Sequence, residues 1–338
     1  MIDGKFITLG IETSCDETAA SVLSEDRDIR SNVISSQIDV HEVFGGVVPE
    51  IASRHHLEQI NNVVDEAVKK AEISYDDIDL IGVTKGPGLV GALLMGIATA
   101  KGLSYALGRP LVGVHHIKAH SFASLLDHPD LKPPYLSLIV SGGHTDLIDV
   151  RDFDDFITIG RTRDDAIGEA YDKVARVLGL GYPGGPKIDK IAKNGDPCAI
   201  EFKRVFLERD SLDFSFSGVK TGVMNYINSE KQKNKEINTA DVAAGFQLSV
   251  IEVVVSKTIT AAKKLKYKKI VMGGGVASNT LLREMMETAC KKEGLELYYP
   301  APVLCTDNAA MVACCAYYDY HFGKVDTLDM DAYANLPL

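Results

Sequence analysis

The sequence predicts an α/β fold with a duplicated domain topology, and three observations carry that reading. Short β-prone runs alternate with segments of helical period, which implies crossover connections. A strand–turn–strand pattern near the start returns close to mid-chain, which suggests an internal repeat. The 338 residues are 46% hydrophobic and 25% charged, enough to bury two cores and unlike a disordered chain.

The elements follow in order. Phe6 to Ile11 is apolar and β-prone, TSCDET supplies turn chemistry, and Ala19 to Leu23 resumes a strand. Val48 to Lys70 opens on Pro49 and keeps apolar residues at helical spacing. Asp79 to Val83 reads as a short buried strand. Lys85-Gly86-Pro87-Gly88 then breaks the chain, and a Gly/Ala-rich helix follows from about Leu89, its stretch to Ala100 reading as buried. Leu111 to Val114 leads into a helix that carries His116 and His120. The opening pattern returns as strand Tyr135 to Val140, turn Ser141-Gly142-Gly143-His144-Thr145 and strand Asp146 to Val150. Pro133-Pro134 marks a boundary, giving lobes of 1–132 and 133–306. Gly179 to Pro186 reads as a Gly/Pro loop and Ser229 to Asn238 as an exposed polar loop. Residues 270–299 read as strand, glycine turn, helix from about Ser278, and strand.

Composition limits the function classes. No stretch reaches the ~18–20 apolar residues that span a bilayer. The opening MIDGKFITLG lacks the layout of a secretory signal. Six cysteines without C-x-x-C spacing argue against a disulfide framework or a cysteine zinc site, and point to the reducing cytoplasm. A net charge of −11 does not advertise nucleic-acid binding, so an RNA-binding surface would be local or supplied by a partner.

His116-Ile117-Lys118-Ala119-His120 places two imidazoles one helical turn apart, where both reach one metal ion or stand as ordinary polar residues. A zincin-type peptidase needs Glu directly after the first His, and Ile117 stands there. Gly142-Gly143 and Gly273-Gly274-Gly275 each follow a strand, where glycine lets a phosphate or ribose approach the backbone. A helix from Ser278-Asn279 would aim its first amides at an anion. No Walker A lysine motif is present, and GGGVASN lacks dinucleotide-fold spacing. Asp16, Glu17, Asp172, Asp189 and Asp307 are each turn or cap residues, or site carboxylates; Asp307 has the added reading of a third metal ligand beside the histidines.

Taken together, GIETSCDETAASV, VVPEIASRHH, GPGLVGALLMG, HHIKAH, SGGHTDL, AIGEAYDKVAR, YPGGPKID, FSFSGVKT, GGGVASN and CTDNAAMVA follow one another in order. The chain closely resembles the TsaD family, tRNA N6-adenosine threonylcarbamoyltransferases, from about residue 6 to 320, with the SGGHT turn of its bacterial and organellar branch. The resemblance implies a two-lobed actin-like ATPase fold whose C-terminal helix, about 307–338, packs back on the first lobe. It implies transfer of threonylcarbamoyl from threonylcarbamoyl-adenylate to N6 of adenosine at position 37 of tRNAs decoding codons beginning with A, with AMP released. Carried over residue by residue, His116, His120 and Asp307 hold one divalent metal, iron or zinc. Ile139, Val140, Ser141, Gly142, Gly143, Asp172, Gly185, Asp189 and Asn279 line the adenine-nucleotide site, and Asp16 and Glu17 stand at the reacting end. Partners implied are tRNA, a TsaB-like paralogue and a TsaE-like ATPase, with no membrane. Candidate phosphate contacts are Arg54, Arg161, Arg163, Lys173, Arg176, Lys187, Lys190 and Lys193. The rival readings are a small-molecule kinase of the actin-like superfamily and a non-catalytic subunit of the modifying complex.

Overall fold

A computed structural model describes residues 4–208 and 210–338; the start of the opening MIDGKFITLG segment lies outside them. The chain divides into two compact units. Met1–Pro133, Arg151–Phe156 and Pro300–Leu338 form the first, and Pro134–Val150 with Ile157–Tyr299 the second.

The first unit is built on β1 (Ile7–Glu12), β2 (Glu17–Ser24), β3 (Ile29–Ser36), β4 (Leu80–Gly86) and β5 (Leu111–His115), in sheet order β3-β2-β1-β4-β5. β1 to β3 form an antiparallel meander, while β4 and β5 run parallel to β1. Helices α1 (Ile38–Glu42), α2 (Pro49–Lys70), α3 (Val90–Leu107) and α4 (His116–Asp127) fill the connections. The second unit repeats the plan. β6 (Tyr135–Val140), β7 (Thr145–Asp152), β8 (Asp155–Arg161), β9 (Lys269–Gly273) and β10 (Glu296–Tyr298) stand in the order β10-β9-β6-β7-β8, the same arrangement with β6 in the place of β1. Its helices are α5 (Ile167–Val177), α6 (Gly184–Ala192), α7 (Ser217–Gln232), α8 (Thr239–Leu265) and α9 (Thr280–Glu293). The chain ends in the first unit with α10 (Pro302–Cys305) and α11 (Ala309–His321).

Alternation along β1 sets the first unit's two faces. Leu9 and Ile11, with Ile81 and Val83 of β4, join α2 and α3 in one apolar core. On the opposite face, a Cβ on Gly10 would stand 2.3 Å from the Ala309 carbonyl, and one on Gly82 2.4 Å from the Ala316 Cβ. Those two glycines let α11 lie directly on the sheet, with its Ala- and Cys-rich face fully buried.

Four expectations are corrected. α6 begins at Gly184, inside the stretch expected to be a Gly/Pro loop, because Pro183 ends the extended approach and Asp172 takes the Gly184 amide. α7 continues to Gln232, so only the second part of 229–238 is loop; Ser229 to Gln232 keep helical period and helix-compatible residues. The last helix of the second unit starts at Thr280, after a 3-10 turn over Gly275–Ser278. α3 is not buried throughout: one stripe, including Ala92, Leu93, Gly96 and Ile97, is covered, and Val90, Leu94 and Tyr105 are exposed. By length and composition alone α3 and α8 each suffice to cross a bilayer. α8 owes its apolar character to the core, with 83% of its most apolar window buried.

Candidate metal centre and glycine turn

In the first unit β5 runs straight into α4, and His115 caps the new helix by accepting the Lys118 amide. Its Nε2–H donates to the Leu336 carbonyl at 2.8 Å, and burial pushes its pKa down to about 4. His115 is thus a neutral structural histidine. His116 and His120 follow on one face of α4, rings 4.7 Å apart and both buried. Asp307 arrives from the loop before α11. That loop is fixed by Asn308, whose Oδ1 accepts the Met311 amide while its Nδ2 donates to the carbonyls of Leu304 and Thr306. Asp307 Oδ1 stands 3.2 Å from His120 Nε2 and 3.6 Å from His116 Nε2. One donor atom from each of the three residues falls within 4.8 Å of the others.

This donor set fits a divalent metal. Bonds of ~2.0–2.1 Å in a tetrahedral site put neighbouring donors about 3.3 Å apart, close to the 3.2 and 3.6 Å between Asp307 and the two imidazoles. His120 Nε2 makes no hydrogen bond despite its proximity to the carboxylate, so it is left available as a donor atom. Burial alone would lower the pKa of His116, but the carboxylates of Asp307 and Glu12 outweigh it and raise it to about 9. The pocket therefore draws positive charge. Two imidazoles and one carboxylate also leave coordination positions open, the pattern of a catalytic centre.

Beside this cluster lies the β1–β2 turn with Asp16 and Glu17. The turn is pinned from three sides: the Leu89 amide donates to the Ser14 carbonyl, the Gln37 amide to that of Asp16, and His56 Nε2–H to that of Cys15 at 2.9 Å. Thr18 Oγ1–H, bonded to His56 Nδ1 at 2.7 Å, fixes the ring. Asp16 is 8% exposed. Burial first, and the Asp16 and Asp307 carboxylates second, hold Glu17 well above the usual carboxylate range. Sequence reasoning passed over Glu12 and His56. Glu12 had a signal, a carboxylate ending an otherwise apolar strand; His56 had none beyond its place in VVPEIASRHH.

The second unit holds the corresponding turn between β6 and β7. The Ser141 amide donates to the His144 carbonyl, and Ser141 Oγ accepts the His144 amide. A Cβ on Gly142, Gly143 or Gly185 would meet nothing within 4 Å, and none of the three has positive φ. The protein's own packing does not demand glycine there, so the residues keep space open. Asp172 Oδ1 accepts the Gly184 amide at 2.6 Å, and Asp189 Oδ2 accepts the Thr280 hydroxyl at 2.8 Å. Asp189 Oδ1, Tyr171 Oη and Ser278 Oγ are buried without a hydrogen-bond partner, as expected where a polar ligand completes a site. Ile139 and Val140 are buried at the end of β6. Asn279 spends its side chain internally: Oδ1 caps α9 at Leu282, and Nδ2 donates to Gln247. With Asp189 also against Thr280, the start of α9 is already capped rather than offered bare to an anion.

The basic residues nominated for RNA divide. Arg163 is paired with Glu208 and Asp213, and Lys173 with Asp165 and Glu169, so their charge is largely cancelled locally.

A family described as "TsaD: tRNA N6-adenosine threonylcarbamoyltransferase" matches residues 28–314. A Clostridium novyi (strain NT) protein of the same description is 57% identical over 331 residues, covering 98% of this chain and 97% of that one. One from Clostridium beijerinckii is 55% identical over 334 residues, covering 99% and 98%. Among solved structures, component A of the Acidaminococcus fermentans (R)-2-hydroxyglutaryl-CoA dehydratase aligns with TM-score 0.55 at 17% identity, over 94% of this chain and 99% of that one. HypF from T. kodakarensis aligns with TM-score 0.63 at 14% identity, over 94% of this chain and 48% of that one. At such identities the two structures speak for the actin-like ATPase fold alone. Sequence identity carries the rest: the chain belongs to the TsaD family of tRNA N6-adenosine threonylcarbamoyltransferases.

Proposed function

We propose that this protein moves the threonylcarbamoyl group of threonylcarbamoyl-adenylate to N6 of adenosine 37 in tRNAs that decode codons beginning with A, releasing AMP. The observation that carries the reading is the convergence of His116, His120 and Asp307 beside the Asp16–Glu17 turn, in a chain 57% identical to a transferase of that name. The donor is a mixed anhydride, so its carbonyl carbon is already activated and no covalent enzyme intermediate is needed. The adenine amine is a weak nucleophile because its lone pair is delocalised into the ring. The protein's task is positioning and charge stabilisation.

His116, His120 and Asp307 hold a divalent metal, iron or zinc. When bound, that ion supplies a Lewis-acid anchor for the threonyl end of the donor. N6 attacks the carbamoyl carbon, the bond to the phosphate oxygen breaks, and AMP leaves with the electron pair. Burial and the neighbouring carboxylates favour the protonated form of Glu17, which leaves Asp16 as the acceptor of the proton that N6 releases. The Ser141-Gly142-Gly143 backbone receives the adenylate phosphate, with Ile139, Val140, Asp172, Gly185, Asp189 and Asn279 around the nucleoside. The protein works in the cytoplasm on tRNA with a TsaB-like paralogue and a TsaE-like ATPase; at a net charge of −11, the basic surface for the RNA is local or comes from a partner protein.

The test is reconstitution of the purified chain with threonylcarbamoyl-adenylate, such a tRNA and the two bacterial partners, followed by mass spectrometry of digested nucleosides. Modified adenosine from the wild type and little from His116→Ala/His120→Ala is expected. Equal product from both would remove the metal from the reaction. Product from neither, with competent partners, would sink the transferase reading.

A further inference from the structure

Glu12 is the last residue of β1 and is fully buried. It shares the face of Gly10 rather than that of Leu9 and Ile11, so it points to the α11 side of the sheet, where the Asp307 loop lies. Its carboxylate is engaged at both oxygens. Oε1 accepts the Ser14 amide at 2.5 Å, and Oε2 accepts Thr84 Oγ1–H at 2.6 Å. Oε2 also stands 3.1 Å from His116 Nδ1, with Ser14 Oγ 3.2 Å from the same nitrogen.

We infer that Glu12 is a positioning residue that fixes the tautomer and ring orientation of His116 for metal binding. The inference rests on the metal reading proposed above. A carboxylate facing an imidazole can only accept, so in the neutral ring that binds a metal Nδ1 carries the hydrogen and Nε2 keeps its lone pair. That Nε2 is the nitrogen turned to Asp307. Three groups from three places in the fold hold Glu12 still: the turn amide, the β4 hydroxyl and the α4 ring. The arrangement has the logic of a carboxylate–histidine–metal relay, in which the outer partner orients the ligand and strengthens it as a donor. His120 has no such partner, since its Nδ1 makes no hydrogen bond. The two histidines are therefore unequal: one ring is clamped through its Nδ1 and the other is not.

Glu12→Gln keeps the volume but turns one oxygen into a donor. That donor faces either the Ser14 amide, itself a donor, or the His116–Thr84 side, where it selects the wrong tautomer. The experiment titrates metal-free wild type, Glu12→Gln and His116→Ala/His120→Ala with Co2+ against a competing chelator. It records the visible spectrum of each complex and the melting curve of each apoprotein. The wild type should bind one Co2+. Glu12→Gln should melt somewhat below the wild type yet remain folded at the assay temperature, bind Co2+ about 10–100-fold more weakly and show shifted visible bands. Equal affinity and an unchanged spectrum in Glu12→Gln would overturn the role of Glu12 and leave the metal reading standing. If the wild type holds no Co2+ against the chelator, or the double alanine variant binds equally, the metal reading fails and this inference with it. Should apo Glu12→Gln not fold, Glu12→Asp decides. It keeps the charge but withdraws the carboxylate by ~1.5 Å, one C–C bond. Weaker binding at an unchanged melting temperature supports the relay, and unchanged binding overturns it.

Discussion

Two hairpin turns sit at equivalent places in the two units. Each follows the central strand of a five-stranded sheet with the same strand order, β1 in one case and β6 in the other. The first turn, Thr13 to Asp16, is followed by Glu17 and is largely buried; the second, Ser141 to His144, has glycines with empty space before them. Backbone topology is shared and chemistry is not. Carboxylates at the first turn, with histidines one helix away, suit a cation and, in the proposed reaction, proton transfer. Bare backbone at the second leaves open space, which the proposed reaction fills with the adenylate phosphate. Duplication supplies two scaffolds, and four residues on each decide which charge it receives.

The sharpest way to break this comparison is to remove charge from the first turn. Asp16→Asn should lower the rate of transfer by about 10²–10⁴-fold, the range for loss of a positioned base. Its Co2+ affinity should change little, because Asp16 is not among the three donors. Glu17→Gln should cost less, since burial and the neighbouring carboxylates favour the protonated form that Gln imitates. Comparable losses in both variants would remove the division of labour between the two carboxylates. The assay is single-turnover formation of modified adenosine.

The second turn is tested by adding bulk rather than removing charge. Gly143→Ala puts a methyl group into open space at a backbone conformation that alanine tolerates, so melting temperature should stay within about 2 °C of the wild type. KM for the adenylate should rise, by about 10-fold, with kcat less affected. The internal control is Gly10→Ala, where the same methyl would lie 2.3 Å from the Ala309 carbonyl. That variant should lose stability outright, because neither β1 nor α11 can yield. If Gly143→Ala melts like Gly10→Ala, the glycine serves packing and not a ligand.

What was legible in the sequence follows the same division. The strands, the hairpin repeat and the helical pair His116–His120 were readable, because period and local turn chemistry depend on near neighbours. The approach of Asp307 to that pair was not, since it depends on α11 lying flat on β1 and β4, a matter of two glycines and an alanine face far apart in the chain. β3 and β8 also went unread. β3 is an edge strand with mixed polar residues, and β8 is exposed along most of its length, so neither carries a clean alternation. Glu12 was missed because a carboxylate at a strand end is an ordinary surface residue by pattern; that it is buried depends on one local donor, the Ser14 amide, and on two distant partners, Thr84 and His116. Asn308 shows the intermediate case. Its capping role follows from local sequence, but its service to Asp307 needs the fold. Asn308→Ala should cost about 1 kcal/mol as a lost cap and loosen Co2+ binding a few-fold, readable in the same chelator competition.

The smallest expected effect concerns the carboxylate after each turn. Glu17 begins β2, and Asp146 is the second residue of β7; burial pushes both up, Asp146 to about 6 with Arg161 partly offsetting the shift. In the first unit the displaced carboxylate is part of the proposed reacting end. Asp146 has no such task in the scheme above and should show only the thermodynamic cost. Its native pKa lies above the ordinary 3.8, so the folded state binds the proton more tightly than the unfolded chain. The stability it contributes is complete below pH ~4 and is lost as pH rises through about 6. Asp146→Asn removes that loss. The variant should therefore match the wild type at low pH and melt higher at pH 8, by ~1–3 °C because the side chain is partly exposed and solvent screens it. Thermal melts at pH 4.5, 6 and 8 check the sign. A gain that is the same at every pH would mean that shape and not ionisation separates the two residues. A matched loss of transfer activity at pH 8 would mean that the second turn, like the first, uses its carboxylate.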